Sequence, residues 1–259
     1  MQAKPSLEDT LSLMRDLRAR CEWDAAQTHE SLRPYLIEEA YEVDDAIRSG
    51  DDTKLREELG DLLLQVLFHA VLAEERNAFT MNDVADGFIT KMKGRHPHLY
   101  GEGPKQPWEQ MKAKRRDSIV DGLPADLPAL HRAFRLQDRA AGVGFDWPDV
   151  EGPIEKVEEE LVEVREELAS STPKEAGGAP KYDAHHARLE GELGDLLFAV
   201  VNLCRKAGVH PALALDKANV KFATRFGAVE RLATERGLTV GKASLTELDA
   251  LWDEVKELE

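Results

Sequence analysis

Four carboxylates recur twice along this chain at matched spacings. Glu39 and Glu42 stand three apart, as do Glu58 and Asp61. Further on, Glu160 and Glu163 repeat the first pair, and Glu192 and Asp195 repeat the second. Residues three apart share one face of an α-helix, so each pair presents two carboxylates to the same side. Glu38 and Glu159 lie one residue earlier and could support the others. Four carboxylates facing one point, without cysteine and without a histidine three residues on, make a hard oxygen site. Mg²⁺ suits it, with Mn²⁺ able to substitute. Mg²⁺ keeps coordination positions for water and phosphate oxygens, so a polyphosphate is the natural partner of such a site.

The elements that must carry these groups read as helices. Leu36, Ala40, Val43 and Ile47 form one apolar stripe, and Leu55, Leu59, Leu62, Val66 and Ala70 form another. Between them, Ser49-Gly50-Asp51-Asp52 predicts a stop, a tight turn and a new N-cap. The short turn makes the two helices antiparallel neighbours, so the two acidic pairs converge. Capping chemistry marks other starts at Ser6 with Asp9, Thr80 with Asp83 and Ser244 with Glu247, while Pro211 suits a first turn. Strand-like alternation is scarce, and the expected class is all-α.

The helices that carry Glu58, Asp61, Glu192 and Asp195 continue into Leu62-Leu63-Leu64 and Leu196-Leu197-Phe198. They are apolar nearly all round and are therefore expected to be buried. Acids on a buried helix must be protonated, paired or metal-bound. No basic residue follows Glu58, Asp61 or Asp195 at three or four positions. Arg165 and Arg188 remain available for local pairing in the second copy.

The repeat extends beyond the acids. Lys91 with Arg95 matches Lys221 with Arg225, and Trp108 with Lys112 matches Trp252 with Lys256. Trp23 and Trp147 precede their respective copies. Two domains follow, 1–122 and 123–259, with the boundary near Gly122, Pro124 and Pro128. The copies differ in one interval: Glu42 to Glu58 spans 16 positions, and Glu163 to Glu192 spans 29. The excess, from Ser171 to His186, is rich in turn-forming residues and reads as a mobile connector or a flap. His96-Pro97-His98 reads as a loop rather than a metal tract, His69 as a core histidine, and Trp23 and Trp147 as packing.

Composition narrows the function. The chain has 259 residues, with 34 Lys and Arg against 50 Asp and Glu, a net charge of -16. An acidic chain lacks the basic field that replaces phosphate counterions, which argues against nucleic acid and against anionic lipid as partners. Any phosphate ligand then needs local positive charge. A metal ion supplies it, together with Lys221, Arg225 and Lys256, whose ammonium and guanidinium groups suit phosphate oxygens. Two cysteines, Cys21 and Cys204, read as free thiols. Residues 1–10 show no signal-peptide pattern, and the apolar run from Leu62 to Ala73 is too short to span a bilayer, so a cytoplasmic location is expected.

The pattern Glu-Glu-x-x-Glu, a gap, then Glu-x-x-Asp resembles the signature of MazG-type nucleoside triphosphate pyrophosphohydrolases. It stands here as Glu38-Glu39-x-x-Glu42 with Glu58-x-x-Asp61, and as Glu159-Glu160-x-x-Glu163 with Glu192-x-x-Asp195. The flanks resemble that family too: Cys21-Glu22-Trp23-Asp24 with Gln27-Thr28-His29, Arg95-His96-Pro97-His98, and Lys217-Ala218-Asn219-Val220-Lys221-Phe222 with Arg225-Phe226. The resemblance covers nearly the whole chain. It implies two tandem four-helix-bundle-like domains, a homodimer, Mg²⁺ dependence, and cleavage of nucleoside triphosphates between the α and β phosphates to a monophosphate and pyrophosphate. It also implies that the second domain is the main catalytic one. Glu160, Glu163, Glu192 and Asp195 are then metal ligands, with Glu159 or Glu160 placed to orient or deprotonate a water. Lys156, Arg188, Lys221, Arg225, Trp252 and Lys256 are nucleotide contacts. Glu39, Glu42, Glu58 and Asp61 form a second metal site. The first copy has Tyr35 where the second has Lys156, so it is expected to bind metal weakly or to act structurally. Two rivals remain. A ferritin-like dimetal bundle would want Glu-x-x-His, which is absent. A non-enzymatic acidic helical interaction module would turn over no nucleotide.

Overall fold

The computed structural model describes residues 4–105, 118–170 and 184–258. Among them every regular element is an α-helix. The chain divides into two compact units, Met1–Lys105 and Gln106–Glu259. The division expected from sequence fell later, after residue 122. Residues 118–122 go with the second unit, where the Arg139 guanidinium donates to the carbonyls of Ile119 (2.7 Å) and Asp121 (3.0 Å). Trp108, Lys112 and residues 171–183 of the expected connector lie outside the described residues, and its last three residues, Ala184 to His186, are helical rather than connector.

The first unit contains α1 (Leu7–Arg20), α2 (Glu22–Ala26), α3 (Arg33–Ser49), α4 (Asp52–Glu75), α5 (Met81–Arg95) and α6 (Pro97–Tyr100). Ser6 and Thr80 close capping boxes with Asp9 and Asp83 at the starts of α1 and α5. The α3–α4 turn follows from its sequence. Gly50 takes a left-handed φ of 70°, and Asp51 then accepts the backbone N–H groups of Thr53 and Lys54. The core sits at the far end of this hairpin, where Leu11, Met14, Leu32, Leu67, Phe68, Val71 and Leu72 pack together. Phe68 is 2% exposed, so truncating it to alanine should cost about 3–5 kcal/mol. Arg18 ties three segments there: it pairs with Glu75 at 2.6 Å, donates to the carbonyls of Asp24 and Gln27, and lies over the Phe68 ring.

Two expectations change in this unit. The burial predicted for α4 holds only for its second half: Leu59 and Leu64 are exposed, as are Ile37 and Tyr41 on α3. A two-helix layer leaves one face of each helix open to water within a single chain. The His96 region is also not a loop. Pro97 ends α5 at Arg95 as expected, because it cannot donate within a helix. It then starts the short helix α6 from its first position.

The second unit contains α7 (Ala129–Gly142), α8 (Glu151–Ser170), α9 (Ala184–Lys206), α10 (Pro211–Glu235) and α11 (Leu245–Glu257). Helices α8 and α9 make the counterpart of the α3–α4 hairpin, and α7 packs on α9, where Gln137 Nε2 donates to the Phe198 carbonyl at 2.8 Å. Ser244 and Glu247 form a capping box at the start of α11. Val229, Ala233, Leu251 and Val255 join α10 to α11. Leu193, Leu197 and Phe198 remain exposed, so α9 departs from the predicted burial in the same way as α4.

Candidate active site

Helix α8 starts where Asp149 Oδ1 accepts the Glu151 N–H at 3.1 Å. Its buried residues Pro153, Glu160 and Val164 recur seven and four positions apart, the spacing of one helical stripe. That stripe puts Glu160 against α9, where only 4% of its surface is exposed. Carboxylate oxygens of Glu160, Glu163 and Glu192 lie within 4.8 Å of one another. Asp195, the expected fourth member, falls outside this group and instead lines an adjoining cavity together with Glu160 and Lys156.

Charge compensation at this triad comes from Lys156. Its ammonium lies 2.6 Å from Glu160 Oε1 and 3.0 Å from Glu159 Oε1. The Glu160 and Glu159 carboxylates push the Lys156 ammonium well above its ordinary value. Glu160 Oε2 has no such partner: it is buried without a hydrogen bond among the described residues. Burial and the neighbouring Glu160 and Glu192 carboxylates push Glu163 above the usual carboxylate range. One orphaned buried oxygen beside two further carboxylates fits a divalent cation. A cation satisfies the orphan and relieves the mutual repulsion that raises Glu163.

The first unit repeats the theme with differences. Glu39, Glu58 and Asp61 bring oxygens within 4.8 Å of one another. Glu42 is outside that group, and burial with the neighbouring Asp61 and Glu42 carboxylates raises the Glu39 carboxyl. Tyr35 faces the Trp23 ring edge-on at 6.2 Å and supplies no ammonium. Lys54 is drawn to Asp45 at 2.5 Å.

The expected nucleotide contacts fall into separate groups. Arg225 lies over Trp252, with Phe222 against the same indole at 5.4 Å. Lys256, on the next turn of α11, pairs with Asp253 at 2.7 Å, and Lys221 is exposed. None of Lys221, Arg225, Trp252 and Lys256 is among the residues that line the cavity holding Glu160 and Asp195. Arg188 pairs with Glu167 at 2.9 Å, beside His185 on the same carboxylate.

Sequence reasoning missed the cavity itself. It measures about 580 Å³, the size of a small-molecule site, and its walls include Leu136, Ala140, Phe145, Trp147 and Phe198. Trp147, expected as plain packing, is one of those walls. The Trp147 segment is fixed by Asp146, which accepts from Arg205 and from Lys206 (3.1 Å); Lys206 also donates to the Trp147 carbonyl. Burial pushes the Asp146 carboxyl up, but the two cations outweigh it and hold it below its usual range. The recurrence of an acid beside tryptophan, at Trp23-Asp24 and Asp146-Trp147, was the one signal in the sequence.

Comparison with known proteins agrees with this architecture. Residues 27–100 match the MazG nucleotide pyrophosphohydrolase domain. The chain is 44% identical over 258 residues to the nucleoside triphosphate pyrophosphohydrolase/pyrophosphatase MazG of Thermotoga maritima, covering 96% of this chain and 95% of that protein. It is 40% identical over 258 residues to the nucleoside triphosphate pyrophosphohydrolase of Escherichia coli K12, covering 95% and 94%. A Mycobacterium tuberculosis protein of the same name is 44% identical over 149 residues, covering 54% of this chain and 46% of that protein. The fold and the doubled acidic hairpin define an all-α protein with two candidate metal centres among its described residues. The chain belongs to the MazG family.

Proposed function

We propose that this chain is a Mg²⁺-dependent nucleoside triphosphate pyrophosphohydrolase, with Mn²⁺ able to substitute, and that its second unit carries the reaction. Water attacks the α-phosphorus, the bond from that phosphorus to the α–β bridging oxygen breaks, and pyrophosphate leaves with that oxygen. The observation that carries the reading is the Glu160–Glu163–Glu192 triad with its orphaned oxygen, in a chain 44% identical to a protein named for this activity.

Glu160, Glu163 and Glu192 would hold the cation, with Asp195 beside them. When bound, the cation offsets the charge between an acidic pocket and a polyanion and lowers the pKa of water. Glu159 is the exposed carboxylate next to the triad and is available to orient or deprotonate the attacking water. Lys156, paired here with Glu160 and Glu159, would be the ammonium nearest the triad for a phosphate oxygen. Lys221, Arg225 and Lys256 would stabilise charge on the departing pyrophosphate, with Trp252 holding Arg225.

The active form is a homodimer in this reading. Leu161, Val162, Leu193, Leu197 and Val200 leave an apolar face on α8 and α9 open in the single chain, and a second copy would cover it. Cys21 and Cys204 are free, which suits the cytoplasm, and no described helix is long and apolar enough to cross a membrane.

The test is product analysis with a panel of ribo- and deoxyribonucleoside triphosphates and Mg²⁺. Pyrophosphate with the nucleoside monophosphate is expected. Release of orthophosphate overturns the reading in favour of a different phosphohydrolase, and no turnover overturns it in favour of an acidic interaction module.

A further inference from the structure

The cavity beside the triad contains an unusual polar group. Gln137 lines it and is 93% buried, with 7% of its surface exposed. Its Nε2 donates to the Phe198 carbonyl at 2.8 Å, and a carbonyl can only accept, so the amide cannot flip without losing that bond. Gln137 Oε1 is therefore held as an acceptor. It is buried and has no hydrogen-bond partner among the described residues. A buried acceptor left unmet is costly, so this wall calls for an N–H or O–H donor.

The rest of the wall restricts what can bring that donor. Leu136, Ala140, Phe145, Trp147 and Phe198 make most of it apolar or aromatic, and its polar members Arg205 and Asn202 are engaged elsewhere: Arg205 donates to Asn202 Oδ1 at 2.9 Å and pairs with Asp146, so the wall suits a ring better than a phosphate. A purely apolar ligand would leave Gln137 Oε1 unsatisfied. The same cavity is also lined by Lys156, Glu160 and Asp195. The ligand that satisfies both Gln137 and the acidic group is a flat, N–H-bearing ring attached to a group that a cation and carboxylates hold.

We propose that this cavity seats the base of the nucleotide, with Gln137 Oε1 accepting a hydrogen bond from a base N–H. The proposal rests on the pyrophosphohydrolase reading of the same site and adds its substrate-recognition element. Recognition by one acceptor is permissive, because each common base offers an N–H on its pairing edge. The aromatic wall is placed by residues other than the metal ligands. A Cβ built on Gly152 would stand 2.0 Å from Trp147 Cδ1, so only glycine admits the indole where it lies. Asp146, held by Arg205 and Lys206, fixes the preceding residue.

The test compares adenosine triphosphate with purine riboside triphosphate, whose base has no N–H. Wild-type enzyme should favour adenosine triphosphate by about tenfold in kcat/KM, the value of one buried hydrogen bond. Gln137→Leu should lower kcat/KM for adenosine triphosphate by a similar factor and erase the preference. Ala140→Phe should raise KM for both nucleotides. Inhibition by inorganic tripolyphosphate, which has no base, should be unchanged in both variants.

An undiminished preference in Gln137→Leu overturns the assignment. So does an equal loss of tripolyphosphate inhibition, which would show damage to the phosphate site instead. If the wild type hydrolyses no nucleotide, the functional reading fails separately. Calorimetric titration with adenosine monophosphate then decides the cavity: binding weakened about tenfold in Gln137→Leu sustains it, and binding that is absent or unchanged overturns it.

Discussion

Lys156 Nζ stands 2.6 Å from Glu160 Oε1, one helical turn away on α8. The pair joins the ammonium that stands where the first unit has Tyr35 to the most deeply buried carboxylate of the two triads. It makes the second triad tolerable without metal and leaves one oxygen of Glu160 free for a cation.

Lys156→Met should lower the thermal midpoint of metal-free protein, because the buried Glu160 loses its countercharge. It should also tighten Mg²⁺ binding, since the cation no longer competes with an ammonium. The Lys156 pKa is raised, so the pair's contribution is complete below the ordinary lysine value and is lost as pH rises through the folded one. Differential scanning calorimetry with and without Mg²⁺ checks both effects. An unchanged metal-free midpoint would count against the pairing.

Glu163 carries a raised carboxyl, so the folded chain holds its proton to higher pH than the unfolded chain does. Stability from this group therefore falls as pH rises through the window above the ordinary glutamate value. Glu163→Gln should raise the metal-free thermal midpoint by a few degrees at neutral pH and give no gain at pH 4. It should also weaken Mg²⁺ binding at least tenfold. Melting curves across that pH range, with a Mg²⁺ titration, decide it.

The two triads are chemically unequal, since Tyr35 stands where the second unit has Lys156. Glu192→Ala should reduce pyrophosphate release by at least a hundredfold, while Glu58→Ala should retain most of the wild-type rate. A pyrophosphate assay on the two variants reads this directly. The reverse order would transfer the activity to the first unit.

Gly152→Ala should destabilise the second unit by about 1–3 kcal/mol, as overpacking does, because the added methyl meets the Trp147 ring. Combining it with Trp147→Leu should recover much of the loss. Urea unfolding of the single and double variants tests the coupling, and simple additivity would deny the contact.

Much of this molecule is written locally. The helix starts at Ser6, Asp51, Thr80 and Ser244 follow from side-chain oxygens meeting unpaired N–H groups within three residues. Gly50 makes the first acidic hairpin turn, and the doubled spacing of acids marks both hairpins. Each of these signals acts over one helical turn, so one dimension suffices to read it.

The sequence by itself therefore determined an all-α chain with two acidic hairpins and the faces on which their carboxylates lie. Only the tertiary structure decided that Glu160 is buried while Asp195 is exposed and lies outside the triad. It also decided that Arg188 turns to Glu167, and that Gln137, Trp147 and Phe198 line one cavity. Spacing fixes the angle of a residue about its own helix axis. The rotation of one helix against the next comes from how whole side-chain layers interlock, and those layers are drawn from segments far apart in the chain.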